Sequence, residues 1–207
     1  MSTESTDRTS LAPPRGEEAI LVQIQSAFAD RPVVLPAARG LSHLGEHALG
    51  WMGLAAAGAV LAAREGDDRR RRDYVAAGVG AFGAHAASVV IKRIVRRKRP
   101  HHGQIAVGVS TPSKLSFPSS HATSTTAAAI LLGRAVASGE PAGWRRLAPV
   151  LIPAAIVPPM LASRLVLGVH YPSDVAAGAL IGAASAGAVI AADKLYTDRF
   201  TPSATTK

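Results

Sequence analysis

The chain has no cysteine, which excludes disulfides and thiolate chemistry and leaves the redox compartment open. Aromatic residues make up only 4% of its 207 positions. Its Lys and Arg cluster between apolar segments with few aromatics beside them, so a nucleic-acid partner is not expected. Residues 1–16 are rich in Ser, Thr, Pro and charge and lack the apolar run of a signal peptide. No cluster of carboxylates offers the oxygen ligands that Mg²⁺ needs. No metal or other cofactor is therefore expected.

What the chain does have is small apolar residues. Hydrophobic residues reach 48%, much of it Ala, with 19 Gly beside them. Such a composition suits helices packed closely in a bilayer. A mean hydropathy of +0.19 is only mildly apolar, so composition alone also admits the buried bundle of a soluble protein. Five apolar stretches stand at 44–63, 74–95, 122–137, 147–168 and 175–192. Each comes near the roughly 20 residues that a helix needs to cross a bilayer. The pattern predicts an all-α fold, a membrane-embedded helical bundle with about five transmembrane helices. In the fifth stretch, Gly178 and Gly182 form a small-xxx-small pattern that lets a neighbouring helix come close. Ahead of the first, residues 17–28 set Ile20, Leu21, Ile24 and Phe28 at helical spacing. That segment is too short to span and is expected on the surface or at the membrane interface. The chain thus divides into a disordered tail (1–16), an amphipathic segment (17–40), a membrane domain (41–196) and a polar C-terminal tail (197–207). The formal charge of +9 reads as attraction to a membrane surface or as a solvated face.

The connections carry the chemistry. Residues 65–73 are a charged hairpin loop, 138–146 a short polar loop, and 100–120 the longest polar connection; a loop of that length in a compact chain is usually functional. Lys92 is followed, after six residues, by Arg99-Pro100; then comes Pro118-Ser119-Ser120-His121; then Ser163-Arg164, His170 and Asp174. These clusters fall at alternate ends of successive apolar stretches, so antiparallel helices would bring them to one face of the membrane. Three fixed cations, two hydroxyls, two histidines and one carboxylate suit a phosphate. Arg grips phosphate oxygens bidentately and Lys acts as a point charge. Ser119 and Ser120 precede a helical run whose free N–H groups attract anions. The histidines and Asp174 can supply nucleophile, acid and orienting group. Blander roles remain open for single residues: His121 as a cap, and Asp174 as a first-turn acid on the helix dipole. Arg93, Arg96, Arg97 and Lys98 are read as a headgroup-facing basic patch, His101 and His102 as loop residues, and His85 as a helix-packing residue.

In order and spacing the three clusters match KxxxxxxRP, PSxH and SRxxxxxHxxxD, and the chain resembles the type 2 phosphatidic acid phosphatase superfamily over about residues 51–192. Two departures are visible: Ser120 stands where Gly is usual, and five spans appear where six are typical. The resemblance implies a phosphoric monoester hydrolase acting on a lipid phosphate. His170 would attack phosphorus to form a phosphohistidine. Asp174 would fix the tautomer of His170. His121 would protonate the leaving oxygen and then activate water. Lys92, Arg99, Ser119, Ser120 and Arg164 would bind the phosphate oxygens. The run at 116–124 is similar to members that act on polyprenyl-linked phosphates, decaprenylphosphoryl-5-phosphoribose among them. Polyprenyl diphosphate, phosphatidic acid and phosphatidylglycerol phosphate are rival substrates, a vanadate-dependent haloperoxidase and a non-catalytic binder rival activities. The resemblance also places the catalytic face outside the cytoplasm. Nine Lys and Arg flank the opposite face and eight the catalytic one, and three of the eight belong to the chemistry, which agrees with a positive-inside orientation. Membrane lipids are expected partners, and a homo-oligomer is open.

Overall fold

The structure, a computed structural model, describes residues 13–139 and 143–200. The two tails expected from the sequence fall largely outside the described residues, as does the middle of the 138–146 loop. Among the described residues there are seven α-helices: α1 (Glu17–Phe28), α2 (Val34–Leu44), α3 (Leu49–Arg64), α4 (Asp68–Val95), α5 (Ser120–Ala137), α6 (Ala148–Val166) and α7 (Pro172–Phe200). Short 3-10 turns stand at Glu46–Ala48 and Gly143–Leu147.

The five apolar stretches fold as α3 to α7. α4 starts earlier than its apolar run, because Asp67 caps the charged turn that opens it by accepting from Arg70 N at 2.9 Å. Three segments are long and apolar enough to cross a membrane: Asp68–Val95, Gly143–Val166 and Pro172–Arg199. The other two of the expected five differ for separate reasons. α3 has 16 residues, short for a bilayer. α5 is rich in Ser and Thr and sits at the centre of the bundle, against α4, α6 and α7. Twelve of its 18 residues are buried. Two of its hydroxyls are satisfied locally, Thr123 Oγ1 donating to Ser119 O at 2.9 Å and Ser124 Oγ to Ser120 O at 3.0 Å, while Thr126 Oγ1 is buried with no hydrogen-bond partner among the described residues. Trp51 Nε1 reaches in from α3 to donate to Thr125 Oγ1 at 3.0 Å. Large apolar side chains point outward instead, among them Leu54, Val79, Phe82, Val90, Leu151 and Leu180, as expected of helices solvated by lipid.

The close approach anticipated at Gly178 and Gly182 is made to α5. A Cβ at Gly182 would stand 2.4 Å from Thr123 O, and one at Gly178 would stand 2.7 Å from Ser119 O. Backbone contact of this kind sets α7 against the start of α5, and Ser119 N donates to Asp174 O at 3.0 Å. The second and third sequence clusters are thereby locked together.

α1 does more than lie at an interface. Ile20 and Phe28 are exposed, but Leu21 and Gln25 are buried against the bundle. Gln25 Nε2 donates to Ala106 O (2.7 Å) and Val166 O (2.9 Å), while its Oε1 accepts from Ala106 N (3.0 Å). At the far end of the bundle Arg134 ties α4 to α7 through Asp73 (3.3 Å) and Asp193.

Candidate active site

At the end where the three clusters meet, the bundle encloses a cavity of about 460 Å³. Lys92, Arg99, Ser120, His121, Arg164 and His170 all line it. Ser119 and Asp174 do not reach the wall and are completely buried behind it. The Ser119 hydroxyl is turned on its own helix, towards Ala122 N.

The loop between α4 and α5 shapes one side. Its two arms pair at Lys98 and Leu115, and Ser116 N donates to Arg97 O at 2.8 Å. Arg99 is held by two carbonyls, Ser113 O at 2.8 Å and Val169 O at 2.6 Å. Burial pushes its guanidinium down to about 10, partly offset by Asp174, so it stays charged at neutral pH. Its NH1 also lies 3.2 Å from His170 Nε2. Arg only donates, so Nε2 carries the lone pair and Nδ1 the proton. Burial, and then the charges of Arg99, Arg164 and Lys92, hold the His170 imidazole well below its ordinary range. The ring is therefore neutral, with Nε2 free to act as a nucleophile.

His170 Nδ1 stands 3.6 Å from Asp174 Oδ2, beyond hydrogen-bond distance. The carboxylate is engaged elsewhere: Oδ1 accepts from Arg97 NH1 at 2.9 Å and Oδ2 from Tyr171 N at 2.8 Å. The direct Asp174–His170 hydrogen bond expected from the sequence is thus replaced by proximity without a bond.

Lys92 also departs from expectation. Its Nζ donates to Leu115 O (3.2 Å), Ser116 O (3.0 Å) and Pro118 O (2.9 Å). An ammonium has three donors, and all three are used. Lys92 therefore gives the cavity its charge while its protons brace the loop that leads into α5.

Across the cavity, Ser42 on α2 serves two cluster residues. Its hydroxyl accepts from Arg164 NH1 at 2.7 Å, and its carbonyl stands 2.9 Å from His121 Nε2. A carbonyl only accepts, so His121 Nε2 carries the proton and Nδ1 is left as the basic nitrogen. Arg164 is buried, and its Nε has no hydrogen-bond partner among the described residues.

Sequence reasoning missed Ser42 and misjudged three others. His85 lines the cavity, its ring 5.7 Å from that of His47. Arg97 does not face headgroups but bridges Asp174 and Glu17. Arg93 lines the cavity, whereas His101 and His102 stand outside its wall. Among the described residues no group of three or more His, Cys, Asp or Glu is placed to hold a metal ion.

A helical membrane bundle that closes buried cations and a neutral histidine into one cavity has the architecture of an integral-membrane phosphatase. The PAP2 superfamily profile matches residues 73–197, and the chain belongs to that family. A decaprenylphosphoryl-5-phosphoribose phosphatase of Mycobacterium tuberculosis is 56% identical over 177 residues, 86% of this chain and 90% of the relative. The protein of the same name from Mycolicibacterium smegmatis is 59% identical over 165 residues, 80% of this chain and 82% of the relative. Among solved structures, the first transmembrane PAP2 type phosphatidylglycerolphosphate phosphatase from Bacillus subtilis superposes with a TM-score of 0.68. It covers 86% of both chains at 21% identity, a likeness of fold.

Proposed function

We propose that this chain hydrolyses the 5-phosphate of a polyprenyl-linked phosphoribose, decaprenylphosphoryl-5-phosphoribose, through a phosphohistidine on His170. The observation that carries the reading is the orientation of His170 in a chain so similar to phosphatases of that name: its lone pair is at Nε2, beside Arg99, with Asp174 behind the ring. In the first step Nε2 forms a bond to phosphorus and the ester P–O bond breaks. His121, protonated at Nδ1 once the phosphate dianion enters the cavity, gives that proton to the leaving ribose oxygen. Arg99 and Arg164 take the equatorial oxygens as charge redistributes, and Lys92 adds its field from behind. In the second step neutral His121 takes a proton from water, the oxygen attacks phosphorus, and the N–P bond breaks to release phosphate. Ser120 lines the cavity and is the hydroxyl assigned to the phosphate, with Ser119 as its scaffold.

The test is phosphate release by the purified protein in detergent from a panel: decaprenylphosphoryl-5-phosphoribose, a polyprenyl diphosphate, phosphatidic acid and phosphatidylglycerol phosphate. The first should give the highest kcat/KM. Preference for any other member overturns the substrate.

We also propose that the cavity opens on the extracytoplasmic side of the cell membrane, since the basic residues outside the chemistry lie mostly at the opposite end. Single cysteines at Ser110 and Asp68, both exposed, report this in intact cells with an impermeant thiol reagent. Labelling at 110 and not at 68 is expected; the reverse refutes the orientation.

A further inference from the structure

Asp174 is fully buried, and a buried carboxylate needs a charged or hydrogen-bonding partner. Arg97 supplies it, and among the described residues it is the one Lys or Arg paired with Asp174. Its guanidinium stacks over the Tyr171 ring at 4.1 Å, donates to Ser173 Oγ at 2.6 Å, and turns its other nitrogen to Glu17 Oε2 at 2.5 Å. Glu17 is fixed in turn: Oε1 accepts from Ser173 N at 2.7 Å and Oε2 from Ser173 Oγ at 3.0 Å. Ser173 N is one of the orphan donors in the first turn of α7, so α1 caps α7 from a distance. We infer that Glu17 and Arg97 are a positioning pair that fixes the rotamer and the effective charge of Asp174, and through it the alignment and basicity of His170. With Arg97 alone, the charge of Asp174 would be neutralised, and little field would remain to stabilise the ring as it bonds to phosphorus. Glu17 restores a net negative charge to the trio. Burial alone would raise its carboxyl, but the hydrogen bonds from Arg97 and Ser173 hold it below the ordinary range, as an ionised member requires. Glu17 lies outside the stretch matched by the family profile, so the device is an addition to the three clusters.

This inference rests on the proposed phosphohistidine chemistry, and the two are tested apart. Glu17→Gln, Arg97→Met and the double variant are compared with wild type for kcat, KM, the acid-quenched phosphoenzyme burst, and thermal unfolding in detergent. Glu17→Gln should lower kcat and burst rate about 3- to 10-fold, and Arg97→Met about 10- to 100-fold, with KM within twofold. Because Glu17 acts through Arg97, the double variant should be no slower than Arg97→Met. Multiplying effects, or a rise in KM at constant kcat, overturns the pair. A kcat for Glu17→Gln equal to wild type, in a protein that unfolds at the wild-type temperature, also overturns it. No phosphate release by wild type from any lipid of the panel overturns the proposed function, and this inference with it.

Discussion

Asp174→Asn is the sharpest probe of the site, because both carboxylate oxygens accept from fixed donors. Oδ1 takes Arg97 NH1 at 2.9 Å and Oδ2 takes Tyr171 N at 2.8 Å. An amide has one oxygen and one NH₂, so either orientation sets a donor against a donor. If the NH₂ faces Arg97, the guanidinium loses a charge-assisted bond, and His170 keeps its tautomer beside a neutral oxygen. If the NH₂ faces Tyr171 and His170, it donates to Nδ1 and drives the ring proton to Nε2, where it meets Arg99 and the nucleophilic lone pair is gone. Stability should fall by about 1.5–3 kcal/mol for the lost charged bond. The rate should fall by about a hundredfold in the first orientation and about ten-thousandfold in the second. Bond formation in the wild type needs only a small movement, since 3.6 Å exceeds the upper N–H···O limit by about 0.4 Å. The assay is a single-turnover acid quench with labelled substrate, timing the proposed phosphohistidine directly. Should Asp174→Asn form phosphoenzyme within fivefold of the wild-type rate, Asp174 has no part in preparing His170.

Three further outcomes are expected. His170→Ala should fold, as judged by its unfolding temperature, yet release no phosphate and trap no phosphoenzyme; a tenth of wild-type kcat would move the nucleophile elsewhere. Exhaustive dialysis against EDTA should leave the rate nearly unchanged, because fixed cations line the cavity and Asp174 and Glu17 are already engaged; a loss restored by Mg²⁺ or Mn²⁺ would refute this. Gly182→Ala should destabilise by about 1–3 kcal/mol, because its Cβ would press to 2.4 Å from a backbone oxygen; an unchanged unfolding temperature would show that α7 is not seated on α5 as described.

The helices and the meeting of the three clusters were legible because both rest on local signals. Apolar runs of bilayer length announce helices, and clusters at alternate ends of successive runs must share a face. Lys92 was legible as a charge but not as a brace, since three carbonyls converge on it from a loop more than 20 residues away. Arg97 looked like one more member of a basic run; its partners Asp174 and Glu17 are 77 and 80 residues distant. Ser42 had no local signature at all, because its value lies in a hydroxyl and a carbonyl offered across 122 and 79 residues to Arg164 and His121. The amphipathic segment was recognised by its apolar face, but Glu17 and Gln25, which dock it, lie outside that pattern.

The placement of α5 bears on how the chain enters its membrane. This helix carries the hydroxyl-rich run 123–126 and is sheathed by α4, α6 and α7 in the finished protein. Alone in a bilayer it would present those hydroxyls to lipid tails. During synthesis α4 is complete when α5 emerges, while α6 and α7 have not yet left the ribosome. α5 is therefore expected to wait at the insertion machinery, or against α4, until its remaining cover is made. A chain stalled with α5 just clear of the ribosome should then crosslink through α5 to the translocation channel, and the released full-length chain should not. Equal crosslinking of both would mean that α5 needs no escort.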